Sequence, residues 1–294
     1  MRRKRLIWLA AAALLIVSPS LAETVSFRFA HAIPSINDGD INTWTNSYNS
    51  LWEDWQSAIG GTLSGEFPAL KYKANFEIEV RIPIVSILSL SLSAGRLQSS
   101  AEGTVSLNSE GDTQVETHFI SNRVTATPIK IGLSLSIPIT RFPLNVVISG
   151  GRHIVFVRYS SSENYDALFR APEKDYSYWY KKSKTFNSEA LGFYAGLALE
   201  LDLIRHLAVV VEGEQVWSQV DGFKGPYSYE DYLDENSSGK ASLYYYESDR
   251  WQMNQSYSVL EGHKERPEEG INNLRQGEIN LSGIIFKIGL RLKF

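Results

Sequence analysis

Apolar and polar side chains alternate one by one along several stretches of this chain. Leu70, Tyr72, Ala74, Phe76, Ile78, Val80 and Ile82 share one parity, and Lys71, Lys73, Asn75, Glu77, Glu79 and Arg81 the other. Successive side chains of a β-strand point to opposite faces, so the pattern predicts a strand with one hydrocarbon face and one charged face. Pro83 has no N–H to give to a neighbouring strand and ends the ladder. The pattern returns at 88–95, 129–137, 144–151, 193–203 and 209–214, and the last residues, 284–294, carry it again. With the short run 25–30, eight strands are predicted.

The connections are of two kinds. Those near 83–87, 140–143 and 204–206 are tight, whereas 33–68, 108–112, 161–187 and 221–276 are mostly long and polar. Short turns at one end and long loops at the other are the asymmetry of barrels that cross a membrane. A closed barrel pairs every backbone N–H and C=O between strands and leaves no edge in lipid. The expected fold is therefore all-β, an eight-stranded antiparallel transmembrane β-barrel with long extracellular loops and both termini in the periplasm. Residues 242–260 leave a ten-stranded count open, although their poor alternation fits an extension above the membrane better. A soluble barrel would turn the apolar faces inward and set Lys, Glu and Arg outside. Trp44, Tyr48, Leu51, Trp52 and Trp55 recur at helical spacing, which predicts an amphipathic helix over 40–59 in the first long loop. Asp40 or Asn42 is the expected cap. Packing over the barrel rim is the helix's plain role, and a lid or plug its sharper one.

The amino-terminal segment changes the picture of where this barrel goes. Arg2, Arg3, Lys4 and Arg5 precede the apolar run 6–17, and Ser20-Leu21-Ala22 then supplies small residues for cleavage. That is the layout of a secretory signal peptide over 1–22, with the barrel domain over 23–294. Losing those four basic residues takes the formal charge from −4 to −8, which argues against nucleic acid as a partner. The chain contains no Cys, so neither a disulfide nor a lipoprotein anchor is expected.

Lys287, Gly289, Leu292 and Phe294 close the chain with a polar-x-Gly-x-x-apolar-x-Phe spacing. This ending resembles the signal by which outer-membrane barrels of Gram-negative bacteria are recognised for assembly. Together with the leader and the alternating strands, it resembles the small outer-membrane β-barrel superfamily of OmpA-, OmpX- and OmpW-like proteins. The resemblance implies an outer-membrane location, the barrel-assembly machinery as a partner during biogenesis, and contact with outer-membrane lipid and lipopolysaccharide. No peptidoglycan-binding domain is expected after the last strand. For OmpW-like members the resemblance implies lateral passage of small hydrophobic molecules.

The polar faces of the predicted strands converge inside such a barrel. Lys71, Lys73, Glu77, Glu79, Arg81, Lys130, Glu200, Asp202, Glu212, Glu214, Lys287, Arg291 and Lys293 are the expected interior charges. Eight strands leave room only for side chains, so these groups are expected to pair across strands. His118 and Ser121 resemble the His-x-Ser-Asn segment of lipid A deacylases, but they are one residue too far apart. On a strand they then face opposite sides and cannot share a proton. No catalytic residue, cofactor or metal is expected. The long loops are rich in tyrosine: Tyr176, Tyr178, Trp179 and Tyr180, and Tyr227, Tyr229 and Tyr232 are the candidate contacts for an extracellular ligand. The leading expectation is a non-enzymatic surface barrel with a structural or ligand-binding role. A narrow pore or transporter for a small or hydrophobic solute, gated by the 42–59 helix, comes second. A lipid A-modifying enzyme comes last.

Overall fold

A computed structural model describes residues 25–36, 39–73, 75–139, 141–233, 235–248, 257–267 and 271–294. The predicted leader lies outside them. In chain order the strands are β1 (Ser26–Ile36), β2 (Thr62–Glu66), β3 (Asn75–Val85), β4 (Leu88–Asn108), β5 (Gln114–Ile139), β6 (Leu144–Phe169), β7 (Tyr176–Ile204) and β8 (Leu207–Trp217). Then come β9 (Gln219–Val220), β10 (Lys224–Asp231), β11 (Ser237–Ser248), β12 (Tyr257–His263), β13 (Ile271–Gln276), β14 (Ile279–Asn280) and β15 (Gly283–Lys293). One helix, α1 (Asp40–Ile59), follows β1 at the boundaries its periodicity predicted.

Eight of these strands form a closed antiparallel ring, β1-β3-β4-β5-β6-β7-β8-β15 and back to β1. The chain is thus an all-β transmembrane barrel, and the count is eight, not ten. Residues 242–248 and 257–260 lie in the β11–β12 hairpin, which among the described residues is paired to the ring through β10 and the upper part of β7. The ring's outer face is a belt of hydrocarbon. Phe76, Leu133, Leu199, Leu201, Ile288 and Leu290 are about half exposed on it, and Val80 and Leu135 sit on it with less exposure. No described helix is long and apolar enough to cross a membrane.

Strands β4 to β7 run well beyond that belt, with β5 and β6 paired over their whole lengths. The segment 161–187, expected as a loop, is therefore mostly strand, and 221–276 holds β10 to β13. Lipid demands an apolar exterior for only about ten residues of each strand. Above it the faces exchange character while the parity continues. Along β5, Lys130 and Ile131 point in and out within the belt. Higher up, Val124 and Ile120 point in and Arg123 and Ser121 point out. The alternation of charge with hydrocarbon fades there, but the hydrogen-bonded ladder does not.

The carboxy-terminal strand seals the ring. Arg28 faces Glu79 across β1–β3 and Arg291 across β1–β15, while Lys287 faces Glu212 across β15–β8. The Phe294 N–H donates to the Val25 carbonyl at 3.1 Å, and its ring meets Phe27 edge-on at 5.8 Å.

Candidate functional site

The barrel interior is layered. Nearest the tight turns lies a network of five bases, Arg28, Arg81, Lys130, Lys287 and Arg291, with five acids, Glu77, Glu79, Glu200, Glu212 and Glu214, all buried. Lys287 Nζ lies 2.8 Å from Glu77 and 2.7 Å from Glu214, and Lys130 Nζ lies 2.6 Å from Glu77 and also binds Glu214. Arg28 binds Glu77 at 2.8 Å, Glu79 at 2.5 Å and also Glu212. Arg81 and Arg291 share Glu79 and Glu200. Charge is balanced within the cluster, which is what makes burying it tolerable. Gly196 lies beside it: a Cβ there would sit 2.7 Å from the Glu212 carboxylate.

Four expected members lie outside this layer, two of them off the barrel interior altogether. Lys71 and Lys73 are exposed outside the barrel, because β3 begins only at Asn75. The segment before it is held by the Lys73 N–H on the Gln98 carbonyl and by Asn42, whose side chain brackets the Leu70 backbone. For the same reason Tyr72 is not on the lipid face but half-buried against the core. Asp202 and Lys293 pair at the turn-end rim, half-exposed. Arg28, which alternation over 25–30 places on the inner face, was missed.

Above the charges the interior turns apolar, with Val124, Ala126, Val155, Val157, Tyr159 and Phe186 in one core cluster. Helix α1 closes that core, burying Ile41, Trp44 and Trp52 in it. Asp40 does not cap the helix. It receives Arg275 and the Glu278 N–H at 2.7 Å, while Asn49 brackets the Phe67 backbone as Asn42 does Leu70. The helix is thus strapped to the loops around it and packs into the mouth of the barrel.

Between α1 and the upper ends of β5, β6 and β7 lies a cavity of about 490 Å³, lined by Tyr48, Leu51, Trp52, Trp55, Gln114, Glu116, Tyr165, Phe169, Tyr178 and Tyr180. Of the tyrosines singled out by composition, Tyr178 and Tyr180 line it. Tyr229 stacks on Tyr180 at 6.1 Å and Tyr232 meets Tyr178 edge-on at 4.8 Å. Tyr227 bonds Ser237 instead, Tyr176 is exposed at the tip, and Trp179 lies under Lys181, off the cavity lining. These residues stand largely on strands, not loops.

Behind the cavity wall His118 is fully buried, ringed by Tyr48, Trp52, Phe67, Tyr165 and Tyr180 at centroid distances of 5.3 to 6.1 Å. Burial holds its pKa down to about 4, so it is neutral at pH 7. Among the described residues neither ring nitrogen has a hydrogen-bond partner. Ser121 is on the outer face, where its hydroxyl donates to Glu102 at 3.1 Å. A second cavity of about 730 Å³ lies on the other side of α1, and there charges match. Lys184 pairs with Glu163 at 3.0 Å and Lys182 with Glu261 at 2.8 Å. Burial would raise the Glu163 carboxyl, but Lys184 and Lys182 outweigh it and hold it at about 2. Glu116 and Glu163 escaped the sequence reading, which found the helix tryptophans by their spacing and not as part of a site. Parity counted upward from Lys130 and Glu200 along β5 and β7 would have placed Glu116, His118 and Lys184 inside.

No protein-family model and no curated protein matches the chain. Among solved structures, it is similar to the outer membrane protein OprG from Pseudomonas aeruginosa at 9% identity and a TM-score of 0.42, covering 93% of this chain and 96% of that one. Acinetobacter baumannii CarO gives 10% identity and a TM-score of 0.30, covering 78% and 96%. The outer membrane protease OmpT from Escherichia coli gives 11% and 0.22, covering 92% and 94%. Likeness at this level carries no functional argument.

Proposed function

We propose that the chain is a non-enzymatic outer-membrane barrel of a Gram-negative bacterium whose helix-capped end faces the exterior and binds a small ligand. The tight turns and both ends of the described chain then face the periplasm. The reading rests on one observation: the barrel is filled from end to end. The balanced charge network occupies the lower half, the apolar core lies above it, and α1 seats two tryptophans in the mouth. What remains open at that end is the aromatic cavity and the charge-lined cavity on the other side of α1, both within the size range of small-molecule sites.

Reconstitution into planar lipid bilayers tests this. The expected result is no steady unitary conductance. Large steady currents, lost when Glu212→Gln and Lys287→Met are combined, would replace the binding barrel by a channel gated by α1.

A further inference from the structure

We infer that the cavity beneath α1 binds an organic cation, an ammonium carrying apolar substituents, with the Glu116 carboxylate as its counter-charge. The inference rests on the reading of this end as a binding surface and adds the chemistry of what it binds.

Glu116 is only 4% exposed. Its carboxylate accepts hydrogen bonds from the Trp55 indole at 3.0 Å and the Tyr165 hydroxyl at 2.6 Å, and from the Gln114 amide. These neutral donors orient the carboxylate without cancelling its charge, and an uncompensated buried charge is unfavourable. Among the described residues no Lys, Arg or His lies within ion-pair distance of it. The other buried glutamates are matched: five by the barrel bases, and Glu163 by Lys184. Asp231 also lacks a cation, but the backbone N–H groups of Leu233 and Glu235 cap it within its own turn, away from the cavity lining. Among the described residues Glu116 alone faces open space with its charge unanswered.

The walls of that space are π faces. Tyr48, Trp52, Trp55, Tyr165, Tyr178 and Tyr180 surround it, with Tyr165 and Tyr180 stacked at 5.1 Å and Tyr178 edge-on to Tyr165 at 5.7 Å. A ring face attracts a cation, and a cage of such faces suits alkylated ammonium groups in particular. A bare metal ion fits poorly, because hard cations need several oxygen ligands. Here one carboxylate, already engaged by three donors, stands among carbon surfaces. His118, packed behind Tyr48, Tyr165 and Tyr180, is neutral and supplies no competing positive charge. The neighbouring cavity, with its lysines and glutamates paired, has no such charge to satisfy.

The test uses the full mature chain in an uncharged maltoside detergent. Tryptophan fluorescence, to which Trp52 and Trp55 contribute, is titrated with benzyltrimethylammonium and choline, and with 3,3-dimethylbutan-1-ol, the uncharged isostere of choline. Saturable binding of the charged probes, at least about tenfold tighter than the isostere, is expected. Glu116→Gln should abolish that preference, while Glu53→Gln on the exposed side of α1 should leave it intact. Tyr178→Leu, which touches none of the Glu116 hydrogen bonds, should weaken binding about threefold to tenfold and keeps the test valid should Glu116→Gln misfold. Equal affinity for the isostere, an unchanged Glu116→Gln preference, or no binding up to roughly 10 mM overturns the inference. The first two outcomes leave a ligand-binding barrel standing. Failure to bind joined to steady conductance in bilayers removes both.

Discussion

Neutralising Lys287 alone is the sharpest test of how the barrel is held together. Lys287→Met leaves five buried carboxylates facing four bases and strips Glu214 of a partner at 2.7 Å and Glu77 of one at 2.8 Å. Breaking a buried pair from one side costs about 3–5 kcal/mol, because the remaining charge is left in a poor solvent. That is a large share of a total stability of about 5–15 kcal/mol. Glu214→Gln alone, which leaves Lys130 and Lys287 short of an anion, should cost a similar amount. Combining the two restores parity, because Lys130 keeps Glu77 at 2.6 Å and Arg28 keeps Glu77, Glu79 and Glu212. The double variant should therefore cost about 1–2 kcal/mol, far below the roughly 6–10 kcal/mol of simple addition. Equilibrium urea unfolding in lipid vesicles, followed by tryptophan fluorescence, gives the three midpoints at a common slope. A double variant that costs the sum of the singles would refute the reasoning. So would a single variant that costs under about 1 kcal/mol, since it would mean that water, and not the opposite charge, solvates each group.

Burial holds His118 at about 4 against 6.5 when unfolded, so the unfolded chain takes up its proton first. The helix-capped end should lose up to about 3 kcal/mol as pH falls from 6.5 to 4, and His118→Phe should flatten that part of the midpoint-against-pH curve; an unchanged slope refutes it. A Cβ on Gly132 would lie 2.3 Å from the Gly150 carbonyl and from the Tyr194 hydroxyl, whereas one on Gly213 meets nothing nearer than 4.0 Å. In the same urea assay Gly132→Ala should cost about 1–3 kcal/mol and Gly213→Ala a small fraction of that. Deleting Phe294 removes a ladder bond to Val25 and the contact with Phe27. Cell fractionation should find the truncated chain depleted from the outer membrane and held in the periplasm, and a normal membrane level would count against the terminal signal.

The sequence by itself determined the ring and its lipid face. Eight runs of strict alternation became its eight strands, and Leu133, Leu199 and Ile288 face outward because a one-residue slip would put Lys130, Glu200 or Lys287 into hydrocarbon. Helix α1 was equally legible, since five aromatic or apolar residues at helical spacing leave little other choice. Legibility ended where lipid ended. Once the outer surface meets water, Ser, Thr and Arg are as acceptable outside as Leu. The inner face then mixes apolar groups such as Phe186 with the buried Glu163–Lys184 pair, and 161–187 looks like loop although it is mostly β6 and β7. Alternation also ran on into Lys71, Tyr72 and Lys73, where only an isolated bridge from Tyr72 to Ser99 of β4 continues the ladder, so only pairing could reveal that β3 starts at Asn75. Tertiary structure alone decided which charge meets which, because partners such as Arg28 and Glu212 lie 184 residues apart. It also decided that Glu116, one glutamate among many in the sequence, is the one left beneath α1 among tyrosines and tryptophans without a base: closing the ring carries β5 and β6 under the helix, and no local pattern encodes that meeting.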